Sequence, residues 1–129
     1  GLGIGLVKGV GDWNPIAAAL RAEDPGSVTH PQGAAFRKFA DATMSDRKAL
    51  AACIARSREE LTPQQLSELG QPVLVAVGTK DDIGGSPHEL AALLPNGIAF
   101  DIEGRDHMLA VGDRRFKHRT LSFLQAHPV

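Results

Sequence analysis

One stretch constrains this chain more than any other: Pro72 to Met108, PVLVAVGTKDDIGGSPHELAALLPNGIAFDIEGRDHM. Val73 to Val77 form a continuous apolar run, the pattern of a strand buried on both faces. Ser86-Pro87-His88-Glu89 reads as a capping box that opens a helix with Leu90, Leu93 and Leu94 on one side. Pro95-Asn96-Gly97 then turns the chain into a second strand, Ile98 to Ile102. A strand, a crossover helix and another strand, joined by short loops, predict a parallel pair in an α/β fold. From about Asp113 a last helix carries Phe116, Thr120, Phe123 and Leu124 on its inner face.

Parallel neighbours send both following loops to the same edge of the sheet, where open α/β folds place their sites. Asp81 lies four residues past Val77, and His107 five past Ile102. With strands about 4.8 Å apart, loops of this length bring a carboxylate onto an imidazole nitrogen. A carboxylate on Nδ1–H fixes the tautomer and stabilises the imidazolium that forms when Nε2 takes a proton. The pair supplies a general base and no nucleophile. Asp82 is the rival acid, with a solvated loop carboxylate as its plainer role. Asp106 is expected to point elsewhere in an extended loop. A structural histidine is the plain alternative for His107, and turn formation is that for Asp81. A cation site from Asp81, Asp82 and His107 is conceivable, because carboxylates suit hard cations, but no other residue with ligand spacing joins them. His30, His88, His118 and His127 fall in turns or on exposed helix positions.

Ahead of this stretch the pattern is helical. Asn14-Pro15 opens a helix through Ala22, with Asn as cap and Pro in the first position, and Asp24-Pro25-Gly26 breaks it. A second, from about Gln32 to Thr43, aligns Phe36, Phe39, Ala40 and Thr43. A third, around Asp46 to Ser57, turns Leu50, Cys53 and Ile54 inward. Thr62-Pro63-Gln64-Gln65 caps a fourth, which Gly70 closes. These faces are too thin for an independent bundle and suit a lid over another surface. Trp13, Phe36, Phe39 and Met44 are expected to pack between lid and core, and Cys53 to be buried.

The chain opens with GLGIGLVKGVGDW, in which Leu2, Ile4 and Leu6 alternate with glycines like the edge of a strand. GxGxG is present, but no strand precedes it and no Gly-Lys-Ser/Thr follows, so a connection is expected rather than a nucleotide site. Cutting into alternating apolar residues is unusual for a chain end. We therefore expect a C-terminal piece of something longer. The expected division is residues 1–13 as a connection from an upstream core strand, 14–71 as a helical cap, and 72–129 as the C-terminal part of an α/β core.

Composition narrows the function. With 129 residues, 43% apolar and 22% charged, the chain is an ordinary globular one. A net charge of −1 with scattered Lys and Arg disfavours nucleic acid. No apolar run approaches the roughly 18 residues of a membrane span. One cysteine excludes an internal disulfide and fits a reducing, cytoplasmic setting.

PVLVAVGTKDD followed by IEGRDHM resembles the C-terminal third of an α/β-hydrolase. In that family a Gly-x-x-Asp loop after a late core strand bears the triad acid, and the last strand leads to the triad histidine. Gly78-Thr79-Lys80-Asp81 matches the first and Asp106-His107 the second, which implies Asp81 as acid and His107 as base. The helical cap that members insert before the acid-bearing strand corresponds to Asn14–Gly70. The resemblance implies a serine hydrolase, with carboxylic ester hydrolysis the commonest activity on this scaffold, and no cofactor. No Gly-x-Ser-x-Gly elbow exists here, since Gly84-Gly85-Ser86 is a helix cap. Nucleophile and oxyanion hole are therefore expected on an N-terminal segment, or on a separate chain paired as a heterodimer. Two alternatives stay open: a hydrolase-like binding protein without catalysis, and a haloperoxidase-like or C–C bond hydrolase using the same triad.

Overall fold

The computed structural model describes residues 2–56 and 60–128. They divide into two compact units, one of Gly11–Glu59 and one of Gly1–Val10 with Glu60–Val129.

The strand unit is built on β1 (Val73–Gly78) and β2 (Gly97–Ile102), which pair in parallel with Val73 opposite Gly97 and Gly78 opposite Ile102. Among the described residues these two strands make up the sheet. The crossover between them is the short helix Pro87–Ala91, capped by Ser86, whose hydroxyl accepts the Glu89 N–H. Leu90 and Leu94 from this segment meet Val75 and Val77 of β1 in one buried cluster. Each such side chain contributes about 1.5–3 kcal/mol of apolar burial. Leu74 and Ala76, on the opposite face of β1, are only half-buried, so the expectation of a strand buried on both faces holds for one face alone.

Pro63–Ser67 belongs with the strands. Its capping box forms as expected, with Thr62 and Gln65 exchanging bonds. Leu66 is buried in the Val75–Leu90 cluster, whereas the sequence places this helix with the three before it. The expected strand edge at the chain start is likewise replaced. Gly5–Lys8 is one helical turn, because the N–H groups of Gly3, Ile4 and Gly5 find carbonyls on Gly84 and Ser86 and leave no ladder to join. The last helix, Arg114–Ala126, is capped by Asp113. Its Phe116, Thr120 and Phe123 are half-buried, while Leu124 is 57% exposed.

The helical unit contains Asn14–Arg21, Pro31–Ala42 and Arg47–Arg56. Asn14 lies inside the first helix rather than capping it; Trp13 holds the cap position, and Asp12 accepts the Asn14 N–H. The inner face of the second helix is rotated from the expected one. Gly33, Arg37 and Ala40 are buried, while Phe39 and Thr43 are exposed. Arg37 is drawn in because its guanidinium bonds the Ala19 and Ala22 carbonyls that end the preceding helix, and pairs with Asp41. In the third helix Ala51 and Ile54 are buried, but Leu50 and Cys53 are exposed; its expected end at Ser57 lies outside the described residues. Trp13 meets Phe36 edge-on at 5.4 Å, and Met44, in the left-handed region at φ 53°, is 92% exposed rather than packed.

Candidate active site

The parallel register aligns the carboxyl ends of both strands, and the loops beyond them are knitted together by backbone bonds. Thr79 N–H donates to Ile102 C=O at 3.1 Å, and Lys80 N–H to Arg105 C=O at 3.0 Å. Thr79 Oγ1 accepts the Gly104 N–H at 2.8 Å. Gly78 makes this approach possible, since a Cβ there would overlap the Arg105 carbonyl oxygen. The loop after β1 and the loop after β2 thus form one hydrogen-bonded edge.

On that edge Asp81 Oδ2 lies 2.8 Å from His107 Nδ1. The Asp81 side chain is 1% exposed and that of His107 21%. The other carboxylate oxygen, Oδ1, accepts the N–H groups of Ile83 and Gly84, both at 2.8 Å. Burial by itself raises the Asp81 carboxyl. The Gly84 and Ile83 N–H groups, then the His107 ring, outweigh it and hold the carboxyl below its usual range. Asp81 is therefore an ionised, oriented acceptor facing an imidazole nitrogen.

The other sequence candidates are placed apart. Asp82 is exposed and outside this pair. Asp106 turns away, its Oδ1 accepting the Met108 and Leu109 N–H groups at 3.0 and 2.8 Å, which fixes the backbone just after His107. Among the described residues no three His, Cys, Asp or Glu side chains are arranged to hold a metal ion. His30 caps the Pro31–Ala42 helix, His88 pairs with Asp101 at the surface, and His127 bonds the Phe123 carbonyl. No described helix is long and apolar enough to cross a membrane.

Several residues that shape the site carry no obvious mark in the sequence. Arg105 Nε donates to Asp113 Oδ2 at 2.7 Å, and Arg115 Nη2 donates to the same oxygen at 3.3 Å. The Arg115 and Arg105 bonds hold the buried Asp113 carboxyl well below the usual range, against the opposing effect of its burial. Arg115 also reaches the Glu103 carbonyl at 2.6 Å. Asp113 was legible as a helix start, but its hold on the histidine loop was not.

The geometry can orient a histidine and stabilise its imidazolium. Compared with protein-family models, with curated proteins and with solved structures, the chain matches none.

Proposed function

We propose that this chain supplies the acid and base of a Ser-Asp-His triad in a serine hydrolase of the α/β-hydrolase kind, acting on carboxylic esters. The observation that carries the reading is the 2.8 Å contact between His107 Nδ1 and the buried Asp81 carboxylate, set at the carboxyl ends of two adjacent parallel strands. One Asp81 oxygen is held by two backbone N–H groups while the other faces the ring, which is the orientation a triad acid needs. The Gly78-to-Asp81 spacing adds support, because Gly78 allows the two loops to close on each other.

In this mechanism a serine from an N-terminal segment, or from a partner chain carrying it, attacks the ester carbonyl. His107 Nε2 takes the serine proton, and Asp81 holds Nδ1–H and stabilises the imidazolium. The tetrahedral oxyanion is stabilised by donors on that same upstream part. His107 then gives its proton to the leaving alcohol, and the acyl-enzyme forms. Water attacks next, its proton passing to His107 and then back to serine as the acid leaves. No cofactor enters these steps. A two-stranded parallel sheet is short for an independent fold, which agrees with completion by further strands.

The test is His107→Ala in the full-length protein, assayed on short acyl esters. Turnover falling by roughly a thousandfold or more is expected. Unchanged turnover removes the triad assignment and leaves a ligand-binding role. A parallel panel of β-diketones and halide with peroxide distinguishes ester hydrolysis from C–C bond cleavage and haloperoxidase chemistry on the same triad.

A further inference from the structure

The acid loop is gripped from outside the strand–helix–strand stretch. Gly3 N–H and Gly5 N–H both donate to the Gly84 carbonyl, at 2.8 and 3.1 Å, and Ile4 N–H donates to the Ser86 carbonyl at 2.9 Å. Gly84 is the residue whose own N–H binds Asp81 Oδ1 at 2.8 Å. The segment from Gly3 to Gly5 therefore holds the far side of the residue that holds the carboxylate.

The fit leaves no room for a side chain at Gly3 or Gly85. A Cβ on Gly3 would overlap the Gly85 carbonyl oxygen and lie 2.6 Å from that of Ser86. Gly85 itself has φ +71°, and a Cβ there would come within 2.9 Å of Ile4 Cγ2. At its other end the segment is anchored. It runs into the Gly5–Lys8 turn, where the Leu6 carbonyl accepts the Leu61 N–H at 3.0 Å and Leu6 and Val7 pack against the buried cluster.

We propose that Gly3, Ile4 and Gly5 form a positioning strap for the triad acid: by fixing Gly84 they keep two N–H groups on Asp81 Oδ1 and so aim Oδ2 at His107 Nδ1. This rests on the serine-hydrolase reading above. The physical need is rotational. A carboxylate turns readily about its last side-chain bond, and an acid that swings away leaves the imidazole without its orienting partner. Pinning one oxygen removes that freedom before substrate arrives, and misplacement of catalytic groups by about 1 Å can cost two orders of magnitude in rate. The glycines that resemble a nucleotide fingerprint in the sequence thus serve close backbone approach within the protein.

The experiment uses the full-length protein, with Gly3→Ala as the strap variant and Gly70→Ala as control, since a Cβ at Gly70 meets nothing within 4 Å. Two quantities are read: kcat and KM on a short acyl ester, and the far-downfield proton resonance of the His107 Nδ1–H. Gly3→Ala is expected to lower kcat about tenfold or more with KM nearly constant, and to shift or broaden the resonance. Gly70→Ala is expected to change neither. A folded Gly3→Ala protein with kcat and resonance intact overturns the proposal. If Gly3→Ala does not fold, Gly5→Ala decides on the same two readouts; its added methyl meets the flexible end of Val10 at 2.6 Å and the Gly84 oxygen at 3.0 Å. Asp81→Asn run alongside separates the two claims. If Asp81→Asn leaves kcat unchanged the hydrolase reading fails, while the effect of the strap variants on the resonance still decides the positioning claim.

Discussion

Asp113 and Arg105 are joined at 2.7 Å, carboxylate to guanidinium Nε, across the turn that carries His107. Asp113 is 3% exposed at its side chain and caps the last helix through the Arg115 and Phe116 N–H groups. One carboxylate therefore starts a helix and ties down the loop two residues before the candidate base.

Because the Asp113 carboxyl is depressed in the folded state by Arg115 and Arg105, its contribution follows a defined pH course. The stabilisation is fully present above the unfolded carboxylate range, about pH 4, and is lost as pH falls from there toward the folded value. Asp113→Asn should lower the urea midpoint clearly at pH 7, and the gap from wild type should narrow steadily in acid. A gap independent of pH between 7 and 2 would contradict the ion-pair account.

Gly78 tests the closeness of the two loops. Alanine there must displace the Arg105 carbonyl, and overpacking of this kind typically costs about 1–3 kcal/mol. Equilibrium unfolding of Gly78→Ala should show a loss in that range, because the Lys80–Arg105 bond is disturbed as well. Alanine at Gly112, where a Cβ meets nothing within 4 Å, should be close to neutral. Equal stability for the two variants would refute the packing described at Gly78.

Leu66 tests which unit the Pro63–Ser67 helix serves. It is 2% exposed within the Val75–Leu90 cluster, so Leu66→Ala should cost about 2–5 kcal/mol through lost burial and the cavity left behind. Leu69, 40% exposed, should tolerate alanine with a much smaller loss. Equivalent effects measured by urea unfolding would mean that this helix does not support the strands.

Much of the strand unit was legible because its signals are local. The Val73–Val77 run, the Ser86 cap and the Pro95-Asn96-Gly97 turn each name their own structure, and the parallel pairing follows from the crossover. Asp81 and His107 were legible together because a parallel pair puts its two outgoing loops at one edge. What stayed hidden depends on partners distant in sequence. Phe36 and Phe39 outrank Arg37 on apolarity, yet Arg37 turns inward because the Ala19 and Ala22 carbonyls need donors. Cys53 looked like a core residue by spacing, but Ala51 and Ile54 set the buried side of that helix. Gly3 and Gly5 alternate with apolar residues as a strand edge does, and only the Gly84 and Ser86 carbonyls explain why they form none.

In the proposed triad, Asp81 and His107 activate a serine outside this chain. That activation is measured most directly by the rate at which the full-length protein reacts with a fluorophosphonate, read by intact mass. In that reaction the serine oxygen forms a bond to phosphorus as fluoride leaves and His107 takes the serine proton. One adduct per molecule is expected, on a serine outside these 129 residues. Labelling should be slowed by roughly a thousandfold in His107→Ala and Asp81→Asn, and be unchanged in Asp82→Asn. No adduct on the wild-type protein, or the same labelling rate in wild type and His107→Ala, would contradict it.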